Sequence, residues 1–214
     1  MRRSARLPPE QLAPYLIEPS GEPAPLEWAV VFGNDRPVEA EVGFGKGLFL
    51  LTASQQSPAT NFLGVEIERK YVLFTATRLA KRGRKNVRVV CADAKQLFRA
   101  SVQAGSLAAV HVYFPDPWWK KRHQKRRLFT EEFVELCVRV LRPGGRLHVV
   151  TDVEEYFGIM KGLVGGQPRL REVPPPAPKA PEHDLDYLTN FERKYRQEGR
   201  PIYRAAYGKS EVVA

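Results

Sequence analysis

Val38-Glu-Ala-Glu-Val-Gly-Phe-Gly-Lys-Gly47 decides the architecture: a strand-length alternation of apolar residues with acids feeds three alternate glycines, and a helix-period segment opens behind them at Leu48. A strand, a glycine turn and a helix in that order bring a nucleotide-type ligand to the carboxyl end of a parallel sheet. Glycines at alternate positions let the turn tighten and let backbone approach the ligand without Cβ clashes. The spacing is Gly-x-Gly-x-Gly, whereas the dinucleotide fingerprint is Gly-x-Gly-x-x-Gly and seats a pyrophosphate on a helix N-terminus. Glu41, just before the first glycine, would repel a pyrophosphate and suits a ligand with an ammonium or sulfonium charge. Both features disfavour NAD and an oxidoreductase built on it.

Outward from this turn, short apolar runs alternate with helix-period segments, the pattern of an α/β chain whose parallel sheet is covered by helices on both faces. The pattern predicts strands at Val38–Val42, Phe62–Ile67, Val87–Cys91, Leu107–Phe114 and Arg146–Thr151. It predicts helices at Leu48–Ser54, Arg69–Arg82 and Glu131–Leu141, with a short turn after Ala94 and a breaker at Pro143-Gly-Gly145. Residues 1–25 read as a flexible basic, proline-rich leader before a short helix around Leu26–Phe32. Residues 26–214 read as one domain, with 174–184 an exposed proline-rich loop, because Pro174 to Pro181 can continue neither a helix nor a central strand.

Composition narrows the partners. The 34 Lys and Arg against 24 Asp and Glu leave +10, which favours an anionic partner and does not choose among nucleic acid, phosphate and a membrane surface. No apolar run has the length to cross a bilayer, and the basic start runs into Pro8 and Pro9 rather than a signal-type segment, so the expected location is cytoplasmic, away from membranes. Cys91 and Cys137 lack metal-ligand spacing and read as buried reduced thiols, with no metal site.

Two further acids follow the glycine turn. Glu66 ends the second strand, where a carboxylate can accept from ribose hydroxyls, and Asp93 follows the third, within reach of an adenine amino group. Taken singly, each is better read as a helix cap or a solvated loop residue. Together, at the ends of three successive strands, Glu41, Glu66 and Asp93 outweigh that reading. This half resembles the Rossmann-like SAM-dependent methyltransferases, whose Glu-x-Gly-x-Gly-x-Gly loop and following acids match without a gap. The resemblance implies a mostly parallel seven-stranded sheet with an antiparallel last strand. It also implies S-adenosyl-L-methionine as cofactor, held by Glu41, Gly43, Gly45, Gly47, Glu66, Asp93 and Asp116.

Tyr113-Phe-Pro-Asp-Pro-Trp-Trp-Lys-Lys-Arg-His-Gln-Lys-Arg-Arg-Leu128 carries the substrate half. Pro115 and Pro117 bracket Asp116 and stiffen its backbone above the sheet. Aromatic faces for bases and cations for phosphates follow at once, without an acid among them. A basic run alone is usually a solvated face; here it adjoins a strand end, a pinned aspartate and a cofactor turn. The stretch is similar to the Phe-Pro-Asp-Pro-Trp-x-Lys-x-Arg-His-x-Lys-Arg-Arg signature of the tRNA (guanine-N7)-methyltransferase family. The similarity continues in Pro143-Gly-Gly-Arg-Leu147, Thr151-Asp152, Thr189-Asn-Phe-Glu192 and Gly199-Arg-Pro-Ile-Tyr-Arg204, covering the chain from about Glu41 to Tyr207.

What the resemblance implies is methyl transfer to N7 of guanine-46 in the tRNA variable loop, with tRNA as partner and no obligate protein partner. By the same resemblance Asp116 is catalytic, and Lys120, Asp152, Thr189, Asn190, Phe191 and Glu192 contact the substrate guanosine. Arg122, Lys125, Arg126 and Arg127 are expected on the RNA. Asn190 departs from the lysine often found at its place in the family. A non-catalytic RNA-binding module, or a methyltransferase of another substrate, shares the basic run but not the whole set of motifs.

Overall fold

The computed structural model describes residues 7–18, 24–177 and 189–211. A short helix Pro9–Leu12 (α1), a single 3-10 turn Ala13–Tyr15 and a two-residue strand Leu16–Ile17 (β1) come first. Helix Trp28–Phe32 (α2) precedes the alternation β2 (Val38–Val42), α3 (Leu48–Gln56), β3 (Asn61–Glu66), α4 (Arg69–Lys81), β4 (Val87–Cys91), α5 (Ala94–Ala100) and β5 (Leu107–Tyr113). A 3-10 segment Lys121–Arg126 then leads to α6 (Glu131–Val140), β6 (Leu141–Thr151), α7 (Glu154–Gly165), β7 (Leu170–Val173), α8 (Asn190–Gln197) and β8 (Tyr203–Lys209).

The strands form one sheet in the order β1-β4-β3-β2-β5-β6-β8-β7. Every pairing is parallel except those of β8 with β6 and β7, so β8 alone runs against the rest. Seven strands match the expected methyltransferase-type sheet; the eighth is β1, whose Leu16 and Ile17 pair with Val89 and Val90 and cover the edge of β4. Residues 9–17 were expected in a flexible leader, yet Leu12 and Tyr15 are buried against Val72, Leu79 and Val89. Leu7 and Leu16 pack on the same cluster and Ile17 on the other face, so five apolar side chains dock the segment. The remainder of that leader, 1–6 and 19–23, lies outside the described residues, as do 178–188 of the proline-rich loop.

Two layers of apolar side chains sandwich the sheet. On one face Val42, Leu63, Val110, Val112, Leu147 and Val149 pack with Phe98, Phe133, Tyr156 and Met160 of α5, α6 and α7. On the other, Phe62, Val87 and Val89 meet Phe49, Leu50, Val72 and Leu79 of α3 and α4. Strands buried on both sides read as continuous valine-rich runs, which is why they were legible. Pro143-Gly-Gly145 ends no element: between the Leu107–Leu141 and Ala109–Arg146 pairs the β6 side carries extra residues, which bulge out through Gly144 at φ +70°. No helix among the described residues is long and apolar enough to cross a membrane.

Neighbours in the sheet set up the site. β2 has β3 on one side and β5 on the other, with Val42 paired to both Val65 and Val112. Chain order reverses at β2, and a crevice opens there because the crossover helices leave in opposite directions.

Candidate active site

One edge of the sheet carries a row of acids. In spatial order Asp93 follows β4, Glu66 ends β3, Glu41 lies in β2, Asp116 follows β5 and Asp152 follows β6. Parallel neighbours are about 4.8 Å apart, so the glycine turn leaving β2 and the Pro-Asp-Pro turn leaving β5 start side by side.

Gly43, Gly45 and Gly47 have φ of +75°, +51° and +65°, the left-handed region that favours glycine. Backbone N–H groups of the turn are spent locally: Gly43 donates to the Val65 carbonyl at 2.8 Å and Gly45 to the Glu66 carboxylate at 2.9 Å. The second Glu66 oxygen accepts from the Glu68 N–H at 3.0 Å. From α4, Thr75 Oγ1 donates to the Gly45 carbonyl at 3.3 Å, and Arg78 donates to the Lys46 carbonyl. A Cβ on Gly43 or Gly45 would meet nothing within 4 Å, so open space fronts the turn.

Glu41 is buried, and one of its carboxyl oxygens makes no hydrogen bond among the described residues. Burial first, and the Glu66 charge second, push its carboxyl well above the ordinary value. A cation placed between these two acids relieves both penalties. Asp93 caps α5, accepting from the Gln96 N–H at 3.0 Å. The capping reading of Asp93 is thus realised, and a carboxylate retains acceptor capacity beyond one bond.

Asp116 is exposed between two strained residues, Phe114 at φ +52° and Trp118 at φ +44°. Such backbone costs about 1–3 kcal/mol per residue and persists where surroundings over-determine it. The Phe114 N–H donates to the Val150 carbonyl at 2.7 Å, and Arg127 Nε donates to the Pro117 carbonyl at 2.7 Å. The Arg127 guanidinium also lies 5.4 Å from the Trp119 ring centroid and 5.8 Å from that of Tyr156. Arg122, Lys125 and Arg126 are exposed, with Arg126 over Trp118 at 5.2 Å, and Lys120 is exposed beside them. Arg127 therefore differs from the cations it was grouped with: it struts the aspartate turn from within. Arg127→Ala removes a charged hydrogen bond of about 1.5–3 kcal/mol, so thermal unfolding should move down by roughly 3–12 °C at 2–4 °C per kcal/mol. An unmoved midpoint would show that the strut carries no load.

Among the residues expected on the substrate, Thr189 caps α8, accepting from the Glu192 N–H at 3.0 Å. Glu192, 2% exposed, pairs with Arg196 at 2.7 Å and with Arg204 from β8. Asn190, the first residue of α8, is half-buried, while Phe191 is 52% exposed and stacks on Tyr195 at 6.1 Å. Phe114 closes this cluster, 6.0 Å from Phe191 and 5.6 Å from Tyr195. Asp152 is paired with Arg200, whose guanidinium sits 4.2 Å from the Tyr195 centroid. A cavity of about 550 Å³ on the sheet face, lined by Glu39, His111, Tyr113 and His148, reaches Glu192 and Arg204 of this cluster. Its imidazoles stack at 4.9 Å, Glu39 holds His111 at 2.8 Å, and burial lowers His148 to about 3.

Arg200, Arg204, Thr75 and Arg78 escaped the sequence reading of the site. Gly199 to Arg204 stood out as a matching segment, but its acid partners lie 12 and 48 residues away, at separations no local pattern reveals.

The sequence profile of the family described as "Putative methyltransferase" matches residues 35–205. The tRNA (guanine-N(7)-)-methyltransferase of Rhodopirellula baltica is 45% identical over 208 residues, 94% of this chain and 77% of that protein. Those of Bordetella pertussis and Geobacter metallireducens are 40% and 35% identical, over 85% and 92% of this chain and 70% and 94% of theirs. Among solved structures, the aminoglycoside resistance methyltransferase NpmB1 superposes with a TM-score of 0.55 at 20% identity, over 81% of this chain and 87% of its own. The 16S rRNA methyltransferase KamB gives 0.55 at 15%, over 83% and 89%. At such identities the structures speak for the fold alone, whereas the family profile runs from before the glycine turn into β8 and the sequence relatives cover most of the chain. On that ground the chain belongs to the tRNA (guanine-N7)-methyltransferase family.

Proposed function

We propose that the protein transfers the methyl group of S-adenosyl-L-methionine to N7 of guanine-46 in the tRNA variable loop, forming 7-methylguanosine in the cytoplasm. The observation that carries the reading is the departure of the glycine turn and the Asp116 turn from adjacent parallel strands at one sheet edge. Residues 26–214 act in it as a single domain.

The residues fit the cofactor. Glu41 has an unpaired buried oxygen beside the Glu66 carboxylate, where an ammonium or sulfonium charge is favourable, and the space before Gly43 and Gly45 is open. Glu41, Gly43, Gly45, Gly47, Glu66, Asp93 and Asp116 would hold it. When bound, it supplies an electrophilic methyl group on a positively charged sulfur. Guanine N7 has an in-plane lone pair and no proton, so no residue needs to serve as a base. Asp152, Lys120 and the Thr189–Glu192 segment hold the guanosine, and such fixation of a reacting pair is worth about 7 kcal/mol or more in favourable systems. Asp116, a fixed carboxylate, stabilises the purine as positive charge arrives on it.

Incubating the protein with S-adenosyl-L-methionine and unmodified tRNA, then cleaving chemically at 7-methylguanosine, tests the reading. Cleavage at position 46 is expected; incorporation elsewhere, or none, rejects it. Exposed Arg122, Lys125 and Arg126 should contact phosphates. Their triple replacement by glutamine should flatten the log–log salt dependence of tRNA binding by roughly 2–3 units, about 0.7–0.9 per contact. An unchanged slope would remove the basic run from the interface.

A further inference from the structure

We infer that Arg200 is a positioning residue that sets the selectivity for guanine, acting through Asp152; the inference rests on the proposed methyl transfer and names how its substrate base is chosen. The Asp152 side chain is 8% exposed, an environment in which a carboxylate needs donors. Arg200 supplies one oxygen, Oδ2, and the other accepts no hydrogen bond among the described residues. Arg200 is itself fixed from behind, its guanidinium 4.2 Å from the Tyr195 ring centroid. Tyr195 stacks on Phe191, which is 52% exposed, and both rings meet Phe114, two residues before Asp116.

This assembly is an aromatic wall beside an oriented acceptor. A flat base lying on the wall would turn an edge toward Asp152. An ionised carboxylate can only accept, and the Arg200 bond fixes which way its lone pairs face. Guanine answers with two donors, N1–H and the exocyclic N2–H2, on the edge away from N7, while adenine offers an acceptor at N1 and no amino group at C2. Both Asp152 oxygens have lone pairs for these donors without loss of the Arg200 bond, since a carboxylate has about four acceptor sites. Methyl transfer at N7 and reading of the opposite edge are therefore compatible.

The test uses the intact protein and two tRNA transcripts, one with guanine at the target and one with inosine, which keeps N1–H and lacks the amino group. The wild type should favour guanine by about 10-fold or more in kcat/KM, the scale of leaving a buried acceptor unmatched. In Arg200→Ala the ratio should fall to within about threefold of unity, the loss falling on the guanine transcript. Arg200→Lys, which retains the charge without the flat stack, should keep part of the ratio. A wild type that treats both transcripts alike, or an Arg200→Ala variant slowed equally on both, overturns the assignment. The same ratio is read by equilibrium binding of the two transcripts. A protein that binds guanine selectively yet methylates nothing therefore overturns the activity and leaves the role of Arg200 standing.

Discussion

Replacing Asp116 with alanine should lower kcat for tRNA methylation by about 10²–10³-fold, the range for removal of one preorganised electrostatic group at a developing charge. Affinity for S-adenosyl-L-methionine should fall far less than turnover, because the other six of the seven residues proposed to hold it, Glu41, Glu66 and the glycine turn among them, are untouched. The side chain is exposed, and surface substitutions of this kind fall within about 0.5 kcal/mol in stability. Unfolding and cofactor titration therefore separate loss of chemistry from loss of fold. The backbone around it is over-determined by Phe114, Trp118 and Arg127, so the alanine variant keeps the turn and loses only the carboxylate. Normal turnover in that variant would take the carboxylate out of the reaction.

Gly47→Ala should be the most damaging change in the cofactor turn. At φ +65° an alanine pays about 1–2 kcal/mol for the left-handed conformation. Its Cβ would also stand 2.3 Å from Thr75 Cγ2 and 2.7 Å from Thr75 Oγ1. Thr75 has nowhere to go: it is fully buried, stiff at χ1, and bonded to the Gly45 carbonyl. Overpacking adds roughly 1–3 kcal/mol, so the unfolding midpoint should drop by about 4–20 °C at 2–4 °C per kcal/mol, and cofactor affinity should fall with it. Gly43→Ala makes the contrast. Its Cβ meets nothing within 4 Å, so it costs the backbone strain alone and intrudes on the ligand space. Affinity should fall while the midpoint moves by roughly 2–8 °C, from 1–2 kcal/mol of strain. Equal destabilisation of the two variants would show that Thr75 yields.

The contrast between these glycines shows what a sequence makes visible. Strands β2 to β5 were readable because burial on both faces makes them short, mostly apolar segments set between polar ones. The acids at their ends could be placed because a strand terminus is a position in one dimension. The C-terminal third was harder: β7 is four residues long, α7 carries glycines at 158, 162 and 165, and α8 is largely polar. The Arg200–Asp152 and Arg204–Glu192 pairs depend on β8 turning back along β6, a fact of topology. Arg127 points the same way. A basic run looks uniform in sequence, and only the Pro117 carbonyl and two aromatic rings distinguish its last member. Leu12 and Tyr15 were lost among prolines and polar residues, because Leu7, Leu12, Tyr15, Leu16 and Ile17 fit neither a helical nor a strand period.

The insertion of β8 between β6 and β7 has a consequence for the order in which the molecule is made. A nascent polypeptide halted before Tyr203 already owns the strands that bear Glu41, Glu66, Asp93 and Asp116, but β7 has no hydrogen-bonding neighbour and Glu192 no Arg204. Synthesis thus completes the proposed methyl-donor compartment first and the proposed nucleoside compartment last, when the final strand threads into its reserved slot.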